Sequence, residues 1–127
     1  MTPTIVTQHG KLFLVLGSPG GPTIITTVVN ILMGVVDYGM NIQEAVNAPR
    51  FHNQWLPDKV SIEKGFSPDT IKLLENMGHK VELGRRDSDE TTTSYYWGDA
   101  ECIQIDPRDG ERLGAPDARN NGKAVGY

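Results

Sequence analysis

The chain has a single cysteine, Cys102, so no internal disulfide can form and cysteine usage leaves the redox compartment open. Its setting, Glu101-Cys102-Ile103-Gln104-Ile105, reads as a strand with the thiol packed on one face and inert. No apolar run approaches the roughly 20 residues of a membrane-spanning helix. The N-terminus lacks a basic stretch followed by an apolar one, so it carries no recognisable signal peptide. Met1 is equally a start or an internal position of a longer chain. Basic excess is absent too. The net charge of −4 argues against nucleic acid as a partner, since phosphate binding needs a basic surface. The three histidines, His9, His52 and His79, stand far apart, with no cysteine or carboxylate at ligand spacing. Each is expected on the surface or in a hydrogen bond, and neither a metal nor an organic cofactor is implied. There is no internal repeat and no low-complexity tract.

What remains is an ordinary globular composition. The 127 residues are 38% hydrophobic and 22% charged, enough for one domain with a real core. Thr4-Ile5-Val6 and Lys11 to Leu16 are strand-like, with Gln8-His9-Gly10 as a hairpin turn. Thr23–Val36 follows as a helix, with Ile25, Val28, Val29, Leu32, Val35 and Val36 at helical spacing. Ile24, Ile31 and Met33 widen its apolar face, which predicts burial on more than one side. Its many β-branched residues require tertiary packing to hold the helix. Asn41 caps a short second helix to Val46, with Glu44 three residues on, and Pro49 ends it. Val60 to Glu63 alternates as a strand. Ser67-Pro68-Asp69 starts a third helix that ends at Met77-Gly78. His79 to Leu83 is another strand. Residues 84–92 are polar and are expected as a surface loop. Residues 93–97 and 100–105 predict two strands around Gly98-Asp99. Residues 106–110 form a turn, residues 111–114 a last strand, and the tail from Ala115 is polar. Strands and helices mix without strict alternation, which gives an α+β layered fold rather than a doubly wound sheet.

The chemistry concentrates in Gly17-Ser18-Pro19-Gly20-Gly21-Pro22, where an apolar strand runs into the first helix. Paired glycines let the backbone approach a ligand closely. A helix N-terminus adds unpaired N–H groups and a dipole that favours negative charge. The stretch therefore suits a bound anion or a negative charge developing in a reaction, and the bland alternative is a tight turn before a helix. It is neither a phosphate-binding loop nor a dinucleotide fingerprint, because both spacings fail. Ser18 has no glycine two residues before it, so a nucleophile elbow is not formed. Thr2 would become N-terminal if Met1 were removed and could then attack with its own amine as base, but Pro3 stiffens that start. Arg50 and Arg119 are expected in buried structural pairs with carboxylates, and Trp55 beside Pro57 in packing.

Several ordered segments resemble the small subunit of γ-glutamyltranspeptidase. They are Gly17-Ser18-Pro19-Gly20-Gly21 with Ile24-Ile25-Thr26-Thr27, Asp37-Tyr38-Gly39-Met40-Asn41, and residues 44–52. Glu63-Lys64-Gly65-Phe66-Ser67, Gly78-His79-Lys80-Val81 and Asp117-Ala118-Arg119 continue the match to Gly126-Tyr127. The resemblance covers nearly the whole of residues 1–127. It implies a single, incomplete domain of an N-terminal-nucleophile hydrolase, an αββα four-layer sandwich. It implies cleavage of γ-glutamyl amides such as glutathione through a γ-glutamyl-enzyme, with transfer to water, amino acids or peptides.

The resemblance assigns the oxyanion hole to the backbone N–H groups of Gly20 and Gly21, and places the nucleophilic threonine upstream of Met1. The residues that hold the substrate's α-amino and α-carboxylate groups also precede Met1, and a substrate-binding arginine belongs to the large subunit. The partners implied are thus the upstream part of the small subunit and the large subunit, and this chain alone is expected to be inactive. Residues 84–95 form a longer loop than the family pattern has. Export to the periplasm or cell surface is a further implication. Two alternatives stay open: a non-catalytic scaffold that self-associates as a homo-oligomer through exposed apolar surface, and an acylase relative acting on another amide.

Overall fold

The alternating apolar residues at the N-terminus close into a hairpin of β1 (Thr4–Gln8) and β2 (Lys11–Gly17). His9 and Gly10 form its two-residue loop with φ of 52° and 76°, the doubly left-handed turn that matches strand twist. The structure, a computed structural model, describes residues 3–84 and 97–126. The chain continues through α1 (Thr23–Val36), α2 (Ile42–Asn47), β3 (Phe51–His52) and β4 (Val60–Ile62). It ends with α3 (Pro68–Asn76), β5 (Val81–Leu83), β6 (Glu101–Ile105) and β7 (Arg112–Pro116). One sheet has the order β1-β2-β6-β7 and is antiparallel throughout. The second has the order β3-β4-β5, in which β4 and β5 are parallel and α3 makes the crossover. The strand expected at residues 93–97 lies, apart from Trp97, outside the described residues, as does the loop after Gly84.

The core lies between the four-stranded sheet and the α1–α2 layer. Leu14 and Leu16 of β2 meet Ile31 and Val35 of α1, Ile42, Ala45 and Val46 of α2, and Cys102 and Ala115 of the sheet. Each fully buried large aliphatic side chain here contributes about 1.5–3 kcal/mol. A Cβ on Gly34 would stand 3.0 Å from Ala45 Cβ, so α1 and α2 cross closely at that point. Asn41 forms the expected capping box. Its side chain accepts from Glu44 N at 2.9 Å, and Glu44 Oε2 accepts from Asn41 N at 3.1 Å.

Three expectations are corrected. Helix α1 buries one stripe, Thr23, Thr27, Ile31, Gly34 and Val35, not several sides. Ile25, Val29, Met33 and Val36 point outward, Ile25 with 73% exposure. The apolar periodicity was wide because α1 presents apolar side chains both to its own core and away from it. Trp55 is not packed but 80% exposed, because residues 53–59 loop outward from the end of β3. The tail does not begin at Ala115. Strand β7 runs to Pro116, and Asp117 is fully buried.

Asp117 is buried because two arginines meet it. Arg50 Nη1 lies 2.8 Å from its Oδ2, and Arg119 Nη1 3.0 Å from its Oδ1. Arg119 also binds Glu63 through Nε and Nη2, at 2.8 and 2.6 Å. Both arginines donate to Val46 O, at 3.0 and 2.9 Å, and Arg50 donates to Trp97 O at 2.6 Å. Arg50 and Arg119 are thus structural, as the sequence implies. They join the end of α2, the approach to β6 and the segment after β7.

Candidate active site

The Gly17-Ser18-Pro19-Gly20-Gly21-Pro22 stretch is a sharp turn between β2 and α1, and the fold props it from behind. Ser18 is fully buried. Its hydroxyl donates to Pro19 O at 2.7 Å and accepts from Asp99 N at 2.9 Å. That arrangement excludes Ser18 as a nucleophile, since its hydroxyl is enclosed and committed on both sides. Gly98, with φ of 79°, lies directly behind it, and a Cβ there would collide with Ser18 Oγ and crowd Thr27. Gly98→Ala is therefore expected to destabilise the protein by about 2–3 kcal/mol through left-handed strain and overpacking. A denaturation midpoint equal to that of the parent protein would contradict this placement.

Two glycines shape the front of the turn. Gly20 has φ of 138° and Gly21 φ of 56°. The first is a conformation that an L side chain does not tolerate. Thr23 N and Thr23 Oγ1 both donate to Gly20 O, at 3.1 and 2.8 Å, and Ile24 N donates to Gly21 O at 3.2 Å. Among the described residues, the hydrogen bonds of the turn thus use the glycine carbonyls and not their N–H groups. Helix α1 starts after Pro22 with no side-chain cap and no acidic residue in its first turn. Its positive dipole end is left unneutralised.

A cleft of about 210 Å³ opens at this point. Gly20, Pro22 and Thr23 form one side, and His52, Gln54, Pro57, Lys59 and Ser61 the other. The second side is supplied by β3, β4 and the loop between them, which sequence reasoning did not connect to the glycine turn. No periodicity announced it, because β3 is two residues long.

The remaining candidates fall elsewhere. Cys102 is buried in β6, and burial pushes its thiol up to about 12, which makes it inert as expected. His9 belongs to the exposed hairpin turn, while His52 is buried and hydrogen-bonded. Thr2 lies outside the described residues. Asp99 and Glu101, beside the turn's prop, have their carboxyls raised chiefly by burial, with neighbouring carboxylates adding to it. Among the described residues, no group of three or more His, Cys, Asp or Glu could hold a metal.

The gamma-glutamyltranspeptidase family model matches residues 1–127. The glutathione hydrolase proenzyme of Escherichia coli is 52% identical over 120 residues, covering 94% of this chain and 19% of that protein. A crystal structure of the Helicobacter pylori gamma-glutamyltranspeptidase T380A mutant superposes with a TM-score of 0.81 at 45% identity, covering 94% of this chain and 60% of that one. A cephalosporin acylase from Bacillus halodurans shares the fold with a TM-score of 0.83 at 25% identity, covering 98% of this chain and 22% of that one. The layers described above are thus those of an N-terminal-nucleophile hydrolase, and the chain spans about a fifth of the E. coli relative's length. With a family match over residues 1–127 and an overall fold that superposes on a solved relative at 45% identity, the chain belongs to the gamma-glutamyltranspeptidase family.

Proposed function

We propose that the chain is the C-terminal part of a γ-glutamyltranspeptidase small subunit and that Gly20 and Gly21 supply its oxyanion hole. The observation that carries this reading is the uncapped start of α1, where Gly20 lines the cleft and Gly21 follows it in the turn. In the reaction, a nucleophile outside this chain attacks the γ-glutamyl amide carbonyl. Negative charge builds on the carbonyl oxygen, and preorganised N–H donors stabilise it. Collapse of the tetrahedral intermediate expels the amine and leaves a γ-glutamyl-enzyme. Water or a second amine then attacks that ester, releasing glutamate or a new γ-glutamyl amide and restoring the nucleophile's hydroxyl. Glutathione is the donor this reading names, and the periplasm or cell surface is its compartment.

The outward stripe of Ile25, Val29, Met33 and Val36 supports the same reading. It is assigned to packing against the upstream small-subunit segment and the large subunit. In the isolated chain it becomes a surface for self-association. The test is chromophore release from a γ-glutamyl anilide by the 127-residue chain alone and by the chain co-expressed with the upstream part of its gene. Turnover is expected only in the second case. Turnover by the chain alone would overturn the assignment. Silence in both, with the longer protein folded, would favour an acylase acting on a different amide.

A further inference from the structure

A chain of hydrogen bonds enters the glycine turn from the C-terminal segment. Asn120 Nδ2 donates to Gly98 O at 3.1 Å. The same peptide unit carries the Asp99 N–H, which donates to Ser18 Oγ at 2.9 Å. The Ser18 hydroxyl in turn donates to Pro19 O at 2.7 Å. That carbonyl shares its peptide unit with the Gly20 N–H. Each group on the way accepts on one side and donates on the other: peptide, hydroxyl, peptide.

Peptide planarity sets the direction of the last link. Among the described residues the one cis peptide bond is Leu56–Pro57, so Gly98–Asp99 and Pro19–Gly20 are trans. In a trans peptide the C=O and the N–H point in opposite directions. Ser18 is fully buried, so its bond draws the Pro19 carbonyl inward. The Gly20 N–H is thereby directed away from that hydroxyl, on a residue that lines the cleft. Accepting from Asp99 N leaves the hydroxyl proton for Pro19 O, which fixes the sense of the whole chain. Bonds aligned in one sense polarise one another, and the terminal N–H becomes a stronger donor than an isolated one. The second plane of the turn is held in the same manner. Thr23 N and Oγ1 both bind Gly20 O, and so orient the Gly21 N–H.

We infer that Ser18 is a positioning residue that holds and polarises the Gly20 N–H as an oxyanion donor, and that Asn120 anchors the outer end of this relay. The inference rests on the oxyanion assignment and adds to it the side chains that preorganise the donor. A donor fixed before the reaction needs no reorganisation as charge develops, which is the source of its effect on the barrier. Ser18 acts through Gly20 and touches no substrate.

The test compares Ser18→Ala, Asn120→Ala and Gly20→Ala in the full-length protein that carries this segment, with a γ-glutamyl anilide as substrate. Two inhibitors report on the planar and the tetrahedral state separately. One is glutamate. The other is its analogue with a boronic acid in place of the γ-carboxyl, which becomes a tetrahedral anion on binding the nucleophile's oxygen. Ser18→Ala frees the Pro19–Gly20 plane and is expected to lower kcat about tenfold, a fraction of the loss on removing a donor outright. The boronate should bind about tenfold more weakly, while KM and glutamate inhibition move less than about twofold. Asn120→Ala cuts the relay at its half-buried end and is expected to lower kcat about threefold with the same selectivity. A merely structural role would weaken glutamate and boronate by equal factors. That result overturns the inference, as does parent-like kcat in folded Ser18→Ala. Should Ser18→Ala fail to fold, Asn120→Ala decides with the same two inhibitors, and parent-like values overturn the inference. Gly20→Ala separates the two readings. If it loses kcat while Ser18→Ala does not, the relay alone is wrong. If it keeps the parent kcat, the oxyanion assignment falls and the relay with it.

Discussion

Arg50→Met is expected to destabilise the fold by about 3–5 kcal/mol, because it leaves the buried Asp117 carboxylate with half its compensation. The Arg50 side chain is 2% exposed and that of Asp117 0%. Three groups lose a partner at once. They are Asp117 Oδ2, which keeps the Ala100 N–H, Trp97 O, which keeps the Thr27 hydroxyl, and Val46 O, which keeps Arg119. Methionine fills similar volume but donates nothing, so the strong charge-assisted bonds to these acceptors are lost while a buried carboxylate loses one of its two counter-charges. Arg50→Lys is expected to recover only part of the loss, since a single ammonium cannot reproduce the fork that reaches three acceptors.

The pH dependence gives this prediction a second readout. Burial pushes the Asp117 carboxyl up, but the Ala100 N–H, the Arg50 charge and the Arg119 N–H and guanidinium outweigh it. Its folded pKa is held below the ordinary value. A depressed carboxylate contributes stability above its unfolded pKa of about 3.9 and loses it as pH falls through the folded pKa. The gap between parent and Arg50→Met should therefore be widest near neutral pH and narrow below about pH 4. Urea denaturation at two pH values measures it, and a gap that does not change with pH would remove Asp117 from the argument.

The same network marks the limit of what the sequence discloses. The local devices were legible because each rests on neighbouring residues: the His9-Gly10 turn, the Asn41 capping box, the proline start of α3 and the strand-to-helix turn itself. Arg50 and Arg119 were legible as structural residues from their placement beside a proline or near the end of the chain. Their shared carboxylate was not, since 67 positions separate Arg50 from Asp117 in the sequence. The cleft wall was hidden for a similar reason. His52 reaches Thr26 across a two-residue strand that has no period to detect. The excess of apolar residues on α1 was visible, but a sequence pattern does not say which of two faces finds its partner within the described residues. The prop behind the glycine turn, Asp99 N on Ser18 Oγ, joins residues 81 positions apart and leaves no local trace.

Gly20→Ala is expected to lower kcat of the full-length protein by about 10²–10³-fold, the effect of displacing an oxyanion donor. At φ of 138° an added Cβ forces the backbone out of its present conformation. The strain of keeping it is about 1–3 kcal/mol, and rotating the peptide planes at residues 19–21 relieves it. Under the proposed assignment, that rotation displaces the glycine N–H groups from the developing oxyanion, while the Thr23 bonds to Gly20 O hold the helix start in place. The damage should therefore fall on transition-state charge and so on kcat, with KM altered much less. Gly21→Ala is the internal comparison. Its φ of 56° is a left-handed value, and an added Cβ would meet nothing within 4 Å. It should cost about 1–2 kcal/mol of stability and lower kcat less than Gly20→Ala. Steady-state kinetics on folded protein, with the fold checked by circular dichroism, separate the two. Parent-like kcat in Gly20→Ala would remove this turn from the chemistry. An equal loss of kcat and of folded protein in both variants would reduce the glycine pair to a turn that begins a helix.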